Sequence, residues 1–505
     1  MCVVLVFSSC NSQEVNFQID ENSWQADFKF LKKKVGKIVP SYQNPENKKA
    51  FNQAYEDISS SQIGKSKEEI VYSFQKLLNT LNDEGCNVPL FQKGIAFEVL
   101  PIKAYWFNNG LFVLDASLEY KDVKGKQIVK INGISVDEMY QSLKPLLNAD
   151  NDYYRKYLFQ TYGLMPSVLK AVGFGENGKE VTLEFASGNK RKIMSGSIDE
   201  FAKLNRGLPN DEVFSETNKN HKGENYWSEM LPRSNTLFVQ IQRVENQNKG
   251  GSFASFINDI KSSIETKKVD KIIIDLRYGG GGNGFKLKTF TDLLRDSETI
   301  NKKGNLFILT SKATRGTLLE LTSILKLTTK CIIIGEPTAE GANTVGDTKY
   351  ITLPNSGIKI SLTHTFWPTS WQQDTNTYIA PDVKVAYNYS HKRTNQDPWL
   401  DVIRNYNVNE THQFVSSGLQ KKLIGTYKVN GRKISIESID GRLYLKMRRK
   451  MRSFFEIHTE LYFDSEGIIA TDIQDVTLIY DKNSSKSIVL QTLQWKNLNF
   501  NIDTY

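Results

Sequence analysis

Lys271-Ile272-Ile273-Ile274-Asp275-Leu276-Arg277 runs directly into Tyr278-Gly279-Gly280-Gly281-Gly282-Asn283-Gly284. A short continuous apolar run that ends in charge is the pattern of a strand covered on both faces. Glycines straight after such a strand let backbone N–H groups turn towards a ligand with no Cβ in the way. A phosphate cradle is one reading of this turn. The Lys-Ser/Thr of a P-loop is missing, however, and the G-x-G-x-x-G spacing is incidental. Outward from this stretch the chain alternates strand and helix. Strands are expected at 236–243, 269–276, 305–310 and 330–335, with helices at 251–266, 285–296 and 315–327 between them. That alternation argues for an α/β layer around a covered sheet.

The flanks differ in period. Residues 23–82 read as helices, with apolar stripes at Phe28, Leu31 and Val35, at Phe51, Tyr55 and Ile58, and at Ile70, Phe74, Leu77, Leu78 and Leu81. Residues 95–140 switch to short strands, and Asn132-Gly133 after the run Gln127–Ile131 marks a turn that needs positive φ. Residues 135–172 return to helix. From about 418 the pattern becomes alternating, as in Lys433-Ile434-Ser435-Ile436-Glu437 and Arg442-Leu443-Tyr444-Leu445-Lys446, with turns at Asn430-Gly431 and Asp440-Gly441. This predicts a small antiparallel β domain that folds by itself.

The strand with Asp275-Leu276-Arg277 and its glycine turn resembles the tail-specific (C-terminal-processing) serine peptidase family, in which such a turn helps to form the oxyanion hole. Other stretches agree. They are Gly335-Glu336-Pro337-Thr338, the run Leu353–Ile360 leading to Phe366-Trp367-Pro368, and Tyr378-Ile379-Ala380-Pro381-Asp382-Val383. Asp122 to Gly133 resembles the family's PDZ-like segment, and residues 23–82 resemble the helical region of its retinoid-binding-protein-like branch. The resemblance covers roughly residues 23–390 and implies a spiral of strand–helix units. It also implies Gly279 and Gly280 as backbone donors to an oxyanion.

The side chains that the family's chemistry requires are not at the matching places. The nucleophile turn corresponds to Ala313-Thr314-Arg315-Gly316-Thr317, and counting 19 residues back from Gly335 puts Gly316 where the serine belongs. Glycine has no oxygen with which to attack a carbonyl. The lysine branch has its base where Gly341 stands, and the histidine branch where Cys86 stands in Asp83-Glu84-Gly85-Cys86-Asn87. The histidines, at 221, 364, 391, 412 and 458, lie elsewhere. Two rescues remain open. Thr317 becomes the nucleophile if the register slips by one, with Glu320 three residues on; its plain role is a first-turn helix residue. Cys86 is a thiol nucleophile only if it is accessible and ionised. Asp275 and Arg277 read as a structural charge pair, and Trp367 and Trp371 as packing residues.

The N-terminus reads as a lipoprotein leader. Met1 to Ser9 is apolar and then small, and Cys10 follows as the acceptor of lipid. The run is too short to span a bilayer, whereas acyl chains on Cys10 would anchor the chain firmly. Beyond the leader, Cys86 and Cys331 have no metal-like spacing and imply no disulfide framework. No metal or cofactor is expected. The net charge of +9 is spread, apart from Lys32-Lys33-Lys34 and Arg448-Arg449-Lys450, so a solvated surface is favoured over nucleic-acid binding. The chain thus divides into a signal and tether (1–22), a helical region (23–94), a PDZ-like segment with linker helices (95–230), a peptidase-like α/β core (231–400) and a C-terminal antiparallel β domain (415–505). The expected protein is a lipid-anchored bacterial envelope protein, periplasmic or at the cell surface. It has weak or absent proteolysis and a peptide or unfolded protein as partner. The alternatives are an active serine-type endopeptidase and a hydrophobic-ligand binder.

Overall fold

The structure is a computed structural model. It describes residues 15–504 apart from 61, 91, 96, 176–177, 197, 205–222, 248–250, 371–373, 409–412, 416, 430–431, 440, 450–454, 466–467, 472–475, 481–489 and 496–497. Cys10, Trp371, His221, His412 and the Asn430-Gly431 turn therefore lie outside the described residues. The chain forms two compact units. One holds residues 1–220, 338–368 and 386–398, and the other holds 221–337, 369–385 and 399–505.

The first unit opens with α1 (Glu21–Ile38), α2 (Pro45–Ile58) and α3 (Lys67–Asn79). Each start has a local cause. Asp20 accepts from Ser23 N at 2.7 Å, Asn44 caps a helix with Pro45 in its first turn, and Ser66 and Glu69 form a capping box. The predicted stripes point inward: Phe28, Leu31, Val35, Phe51, Phe74, Leu77 and Leu78 are buried, and Phe28 stacks on Phe74 with centroids 4.2 Å apart. A sheet follows, made of β1 (Ile102–Phe107), β2 (Gly110–Ala116), β3 (Gln127–Ile131), β4 (Ile134–Ser135), β5 (Glu180–Phe185) and β6 (Lys190–Met194). Its order is β1-β2-β3-β5-β6, with β4 paired to β3. The predicted turn is there: Asn132 and Gly133 both have positive φ, and Thr182 N donates to Asn132 Oδ1 at 2.8 Å. Helices α4 (Val136–Leu143), α5 (Asp152–Tyr162), α6 (Pro166–Ala171) and α7 (Ile198–Lys203) complete this part.

The second unit begins with β7 (Tyr226–Met230), β8 (Thr236–Ile241), α8 (Phe253–Thr266), β9 (Lys271–Asp275), α9 (Leu287–Asp296), β10 (Leu306–Thr310), α10 (Gly316–Thr328) and β11 (Ile332–Gly335). Strands β8, β9, β10 and β11 are parallel neighbours in that order, and β7 is an antiparallel edge. This is the covered sheet that the apolar runs predicted; Ile272, Ile274, Leu306, Ile308, Ile333 and Ile334 have no exposed surface.

The chain then returns to the first unit as a ribbon of β12 (Asn343–Thr352) and β13 (Lys359–Pro368). The turn of the ribbon is fastened to α1, because buried Asp27 accepts from Asn355 N, Asn355 Nδ2 and Ser356 N at 2.8–2.9 Å. Strand β14 (Val383–Lys384) extends the parallel sheet beside β11. Helices α11 (Tyr389–Arg393) and α12 (Pro398–Arg404) lead to β15 (Gln413–Phe414) and α13 (Ser417–Leu423).

The remaining strands are β16 (Gly425–Val429), β17 (Arg432–Ile439), β18 (Arg442–Arg449), β19 (Phe455–Ser465), β20 (Ile468–Thr471), β21 (Val476–Tyr480), β22 (Leu490–Trp495) and β23 (Leu498–Thr504). Each pairs antiparallel with the next, and β23 returns to β16 through Tyr427↔Thr504 and Val429↔Ile502. The circuit of pairings is therefore closed, as in a small up-and-down barrel. Tyr427, Val429, Ile434, Ile436, Leu443, Leu445, Leu461, Ile469 and Leu478 are buried together in its core.

Candidate functional site

Strand β9 ends on Asp275, whose carboxylate meets Arg277 two residues later. Arg277 Nε and Nη2 donate to Asp275 Oδ1 and Oδ2, both at 2.9 Å, and both side chains are fully buried. The Arg277 guanidinium lies 4.6 Å from the ring centre of Trp399, and Trp399 Nε1 donates to Thr310 O at 3.3 Å. The loop after β10 is stitched beneath this strand end. Ser311 Oγ donates to Arg277 O at 2.7 Å, and Thr314 Oγ1 donates to Leu276 O at 2.9 Å. The sequence reading of Asp275 and Arg277 as a charge pair agrees with this geometry; it did not foresee Trp399.

These bonds bring the turn before α10 onto the glycine turn. Gly280 and Arg315 form a single parallel bridge. A Cβ on Gly280 would lie 2.7 Å from Arg315 O, and one on Gly279 would lie 2.3 Å from Gln242 O, so both positions require the smallest residue. Gly316 starts α10 with φ +55°, and its ideal Cβ would stand 3.0 Å from Gly281 N. A side chain here would be aimed at the glycine turn. Thr317 is buried, and its hydroxyl donates to Gly282 O at 3.0 Å. A hydroxyl with its proton on a backbone carbonyl ties the two turns together and passes no proton to a base.

The glutamate of Gly335-Glu336-Pro337-Thr338 has a structural partner that sequence reasoning missed. Lys312, buried four residues before Gly316, lies 3.7 Å from Glu336, and the Glu336 backbone carbonyl accepts from Thr310 Oγ1 at 2.8 Å. A lysine inside a stretch otherwise rich in small polar residues was the available signal.

Cys86 and Gly341 belong to the first unit, and Gly279, Gly280, Gly316 and Thr317 to the second. Cys86 has no exposed surface. Its thiol donates to Asp83 Oδ2 at 3.4 Å and lies 3.5 Å from Thr363 Oγ1 on β13. Burial, reinforced by the Asp83 charge, pushes the thiol well above its usual range. Asp83 is itself raised by burial, against hydrogen bonds from Thr363, Ser41, Cys86 and Gly85. Asp150 is pushed well up by burial, and the Glu84 and Asp83 charges add to it. Asp83, Glu84 and Asp150 thus gather acidic side chains around Cys86. Gly341 is buried just before β12; Glu340 next to it is also buried and accepts from Thr344 Oγ1 at 2.8 Å. Among the described residues no group of three His, Cys, Asp or Glu side chains could hold a metal ion.

A labelling experiment checks the thiol. In a Cys2→Ser/Cys10→Ser chain, Ellman's reagent at neutral pH is expected to find no reactive thiol in the folded protein and two after unfolding. Burial closes off Cys86 and Cys331 alike, and the Cys331 thiol is pushed up to about 12. Stoichiometric labelling of native Cys86 would restore it as a nucleophile.

No family model and no curated protein matches the chain. Solved structures do. The crystal structure of mature CPAF has 11% identity and a TM-score of 0.50 over 76% of this chain and 96% of that one. The photosystem II D1 C-terminal processing protease has 13% identity and a TM-score of 0.38 over 72% and 93%. An S41 protease from Bacteroides fragilis has 14% identity and a TM-score of 0.27 over 61% and 82%. The CPAF likeness establishes a shared fold.

Proposed function

We propose that this chain is a non-cleaving relative of the tail-specific peptidases, lipid-anchored through Cys10 in a bacterial envelope, that captures extended peptides. The observation that carries the reading is Gly316. It lies over the glycine turn at the start of α10, where attack would begin, and it has no oxygen. Two further features support it. Thr317 spends its hydroxyl on Gly282 O, and Cys86 is buried beside a carboxylate. Peptide capture needs none of the missing side chains, because strand addition and backbone amides suffice. Among the described residues no helix is long and apolar enough to cross a membrane, so attachment rests on the leader.

The test is incubation with casein and, separately, with a fluorophosphonate probe, each read by intact mass. The expected result is no adduct and no cleavage. A bare oxyanion hole typically leaves only about 10³- to 10⁴-fold over water, far below a working protease. Gly316→Ser alone is expected to stay inactive, since no base stands at 86 or 341. Robust cleavage that disappears in Thr317→Ala would overturn the reading in favour of a threonine nucleophile. Loss in Cys86→Ala would point to a thiol.

A further inference from the structure

The chain that follows Cys10 is soon fastened to the first unit. Val15 is the first described residue, and Asn16 N donates to Ser356 O at 2.8 Å in the turn of the β12–β13 ribbon. A Cβ on Gly94 would lie 2.9 Å from Val15 Cβ, so the loop before β1 closes on the same segment. Phe17 packs against the core, with Lys67 Nζ of α3 5.9 Å from its ring centre. Five residues at full extension reach at most about 18 Å, which bounds the distance from Cys10 to Val15. A headgroup layer takes up about 5 Å or more of that by itself. A lipid on Cys10 would therefore hold this part of the first unit against the membrane surface.

An exposed apolar tip stands beside this attachment. Ile63, in the loop between α2 and α3, is 65% exposed. Single apolar side chains on a surface are ordinary; the way this one is held is informative. Gln62 N and Ile63 N both donate to Glu21 Oε2 in the first turn of α1, at 3.1 and 3.2 Å. Gln62 is buried, and its Nε2 donates to Ile58 O at 2.6 Å. Lys65 N donates to Gln62 O at 3.3 Å across Gly64, which takes φ +81°. The loop is thus pinned from within, and Ile63 is left facing outward. The tip and the tether meet at the start of α1. Glu21, which holds the loop, is five residues after Asn16, and Lys67, which covers Phe17, is four residues after Ile63. Charge selects no partner here, because Lys65 has Glu21 and Glu69 nearby and Lys67 has Glu68.

We propose that Ile63 is a second contact with the bilayer that carries the Cys10 lipid, entering the boundary between headgroups and acyl chains. The occupant follows from the tether, whose length puts a lipid surface beside this loop. The anchor makes the contact intramolecular, so one apolar side chain suffices to bias how the first unit lies on the membrane. The inference rests on the reading of Cys10 as the lipidated residue and is independent of the peptidase reading.

In the experiment, the lipidated chain with Ile63→Cys carries the polarity-sensitive dye NBD at that position and is reconstituted into phosphatidylcholine vesicles. Burial closes Cys86 and Cys331 to the reagent, and Ile63 is on the surface, so folding is retained. The reference is the same labelled chain with Cys2→Ser/Cys10→Ser, mixed with the same vesicles. The expected result is a blue shift of the dye emission relative to that reference. It is accompanied by quenching from lipids spin-labelled near the headgroup and by protection from iodide in the water. Intact mass reports the acyl chains separately. Acyl mass on Cys10 with a dye that stays in water overturns the contact and leaves the anchor standing. Absence of acyl mass overturns both. A shift that the unacylated chain shows equally without vesicles, and that grows with protein concentration, also overturns the proposal and assigns the tip to a second copy of the chain.

Discussion

Arg277→Met is expected to destabilise the second unit by about 3–5 kcal/mol. The cause is the carboxylate left behind. Asp275 is fully buried, and two of its bonds come from the Arg277 guanidinium at 2.9 Å. Methionine fills much of the volume under Trp399 but donates nothing, so Asp275 keeps its charge without its counter-ion or gives it up. Either course costs several kcal/mol at such a site. The measurement is a urea titration followed by tryptophan fluorescence, and the expected change is a large fall in the midpoint of one transition. The double change Asp275→Leu/Arg277→Met separates this cause from simple loss of packing. Removing both charges is expected to recover much of the loss, since an ion pair replaced by apolar groups of similar volume is often close to neutral. A double variant as unstable as the single one would show that the guanidinium acts chiefly through its contact with Trp399.

Gly335→Ala is expected to cost about 2–5 kcal/mol, combining backbone strain with overpacking. Gly335 ends β11 with φ +138°, a region that side chains with a Cβ rarely enter. An ideal Cβ would lie 2.2 Å from Thr310 O and 2.3 Å from Trp399 Nε1. Thr310 is its strand neighbour in β10 and cannot move without breaking the pairing of Thr310 with Gly335. Trp399 can be removed, and this gives the check. In a Trp399→Leu background Gly335→Ala is still expected to be strongly destabilising, because the backbone clash persists. Full rescue there would mean that the indole alone excludes the methyl.

Both predictions concern residues that the sequence marked as part of a motif, and both depend on a tryptophan that it did not mark. The strand and helix order of the α/β core was legible because each element announces itself locally. Ile272 to Ile274 form an apolar run, and the observed strands and helices from 236 to 335 fall within about two residues of the expected bounds. Local signals also gave the helix stripes of residues 23–82 and the Asn132-Gly133 turn. Strand β7 was missed, since Tyr226–Met230 is short and mixes Ser228 and Glu229 with its apolar residues. The absence of an oxygen at 316 was readable from spacing alone. The φ of +55° and the aim at Gly281 were not, because they follow from the way Arg315 pairs with Gly280.

What the sequence determined by itself was therefore local: the periods, the caps, the glycine turn and the residue types at 86, 316 and 341. What the tertiary structure alone decided joins residues far apart in the chain. Cys86 rests on Thr363, 277 positions away, and Asp27 holds Asn355, 328 positions away. The tail read as alternating strands, but closure of the barrel hangs on β23 finding β16, with Tyr427 opposite Thr504. Such pairings depend on register and on the packing of surfaces that exist only once the intervening elements have folded.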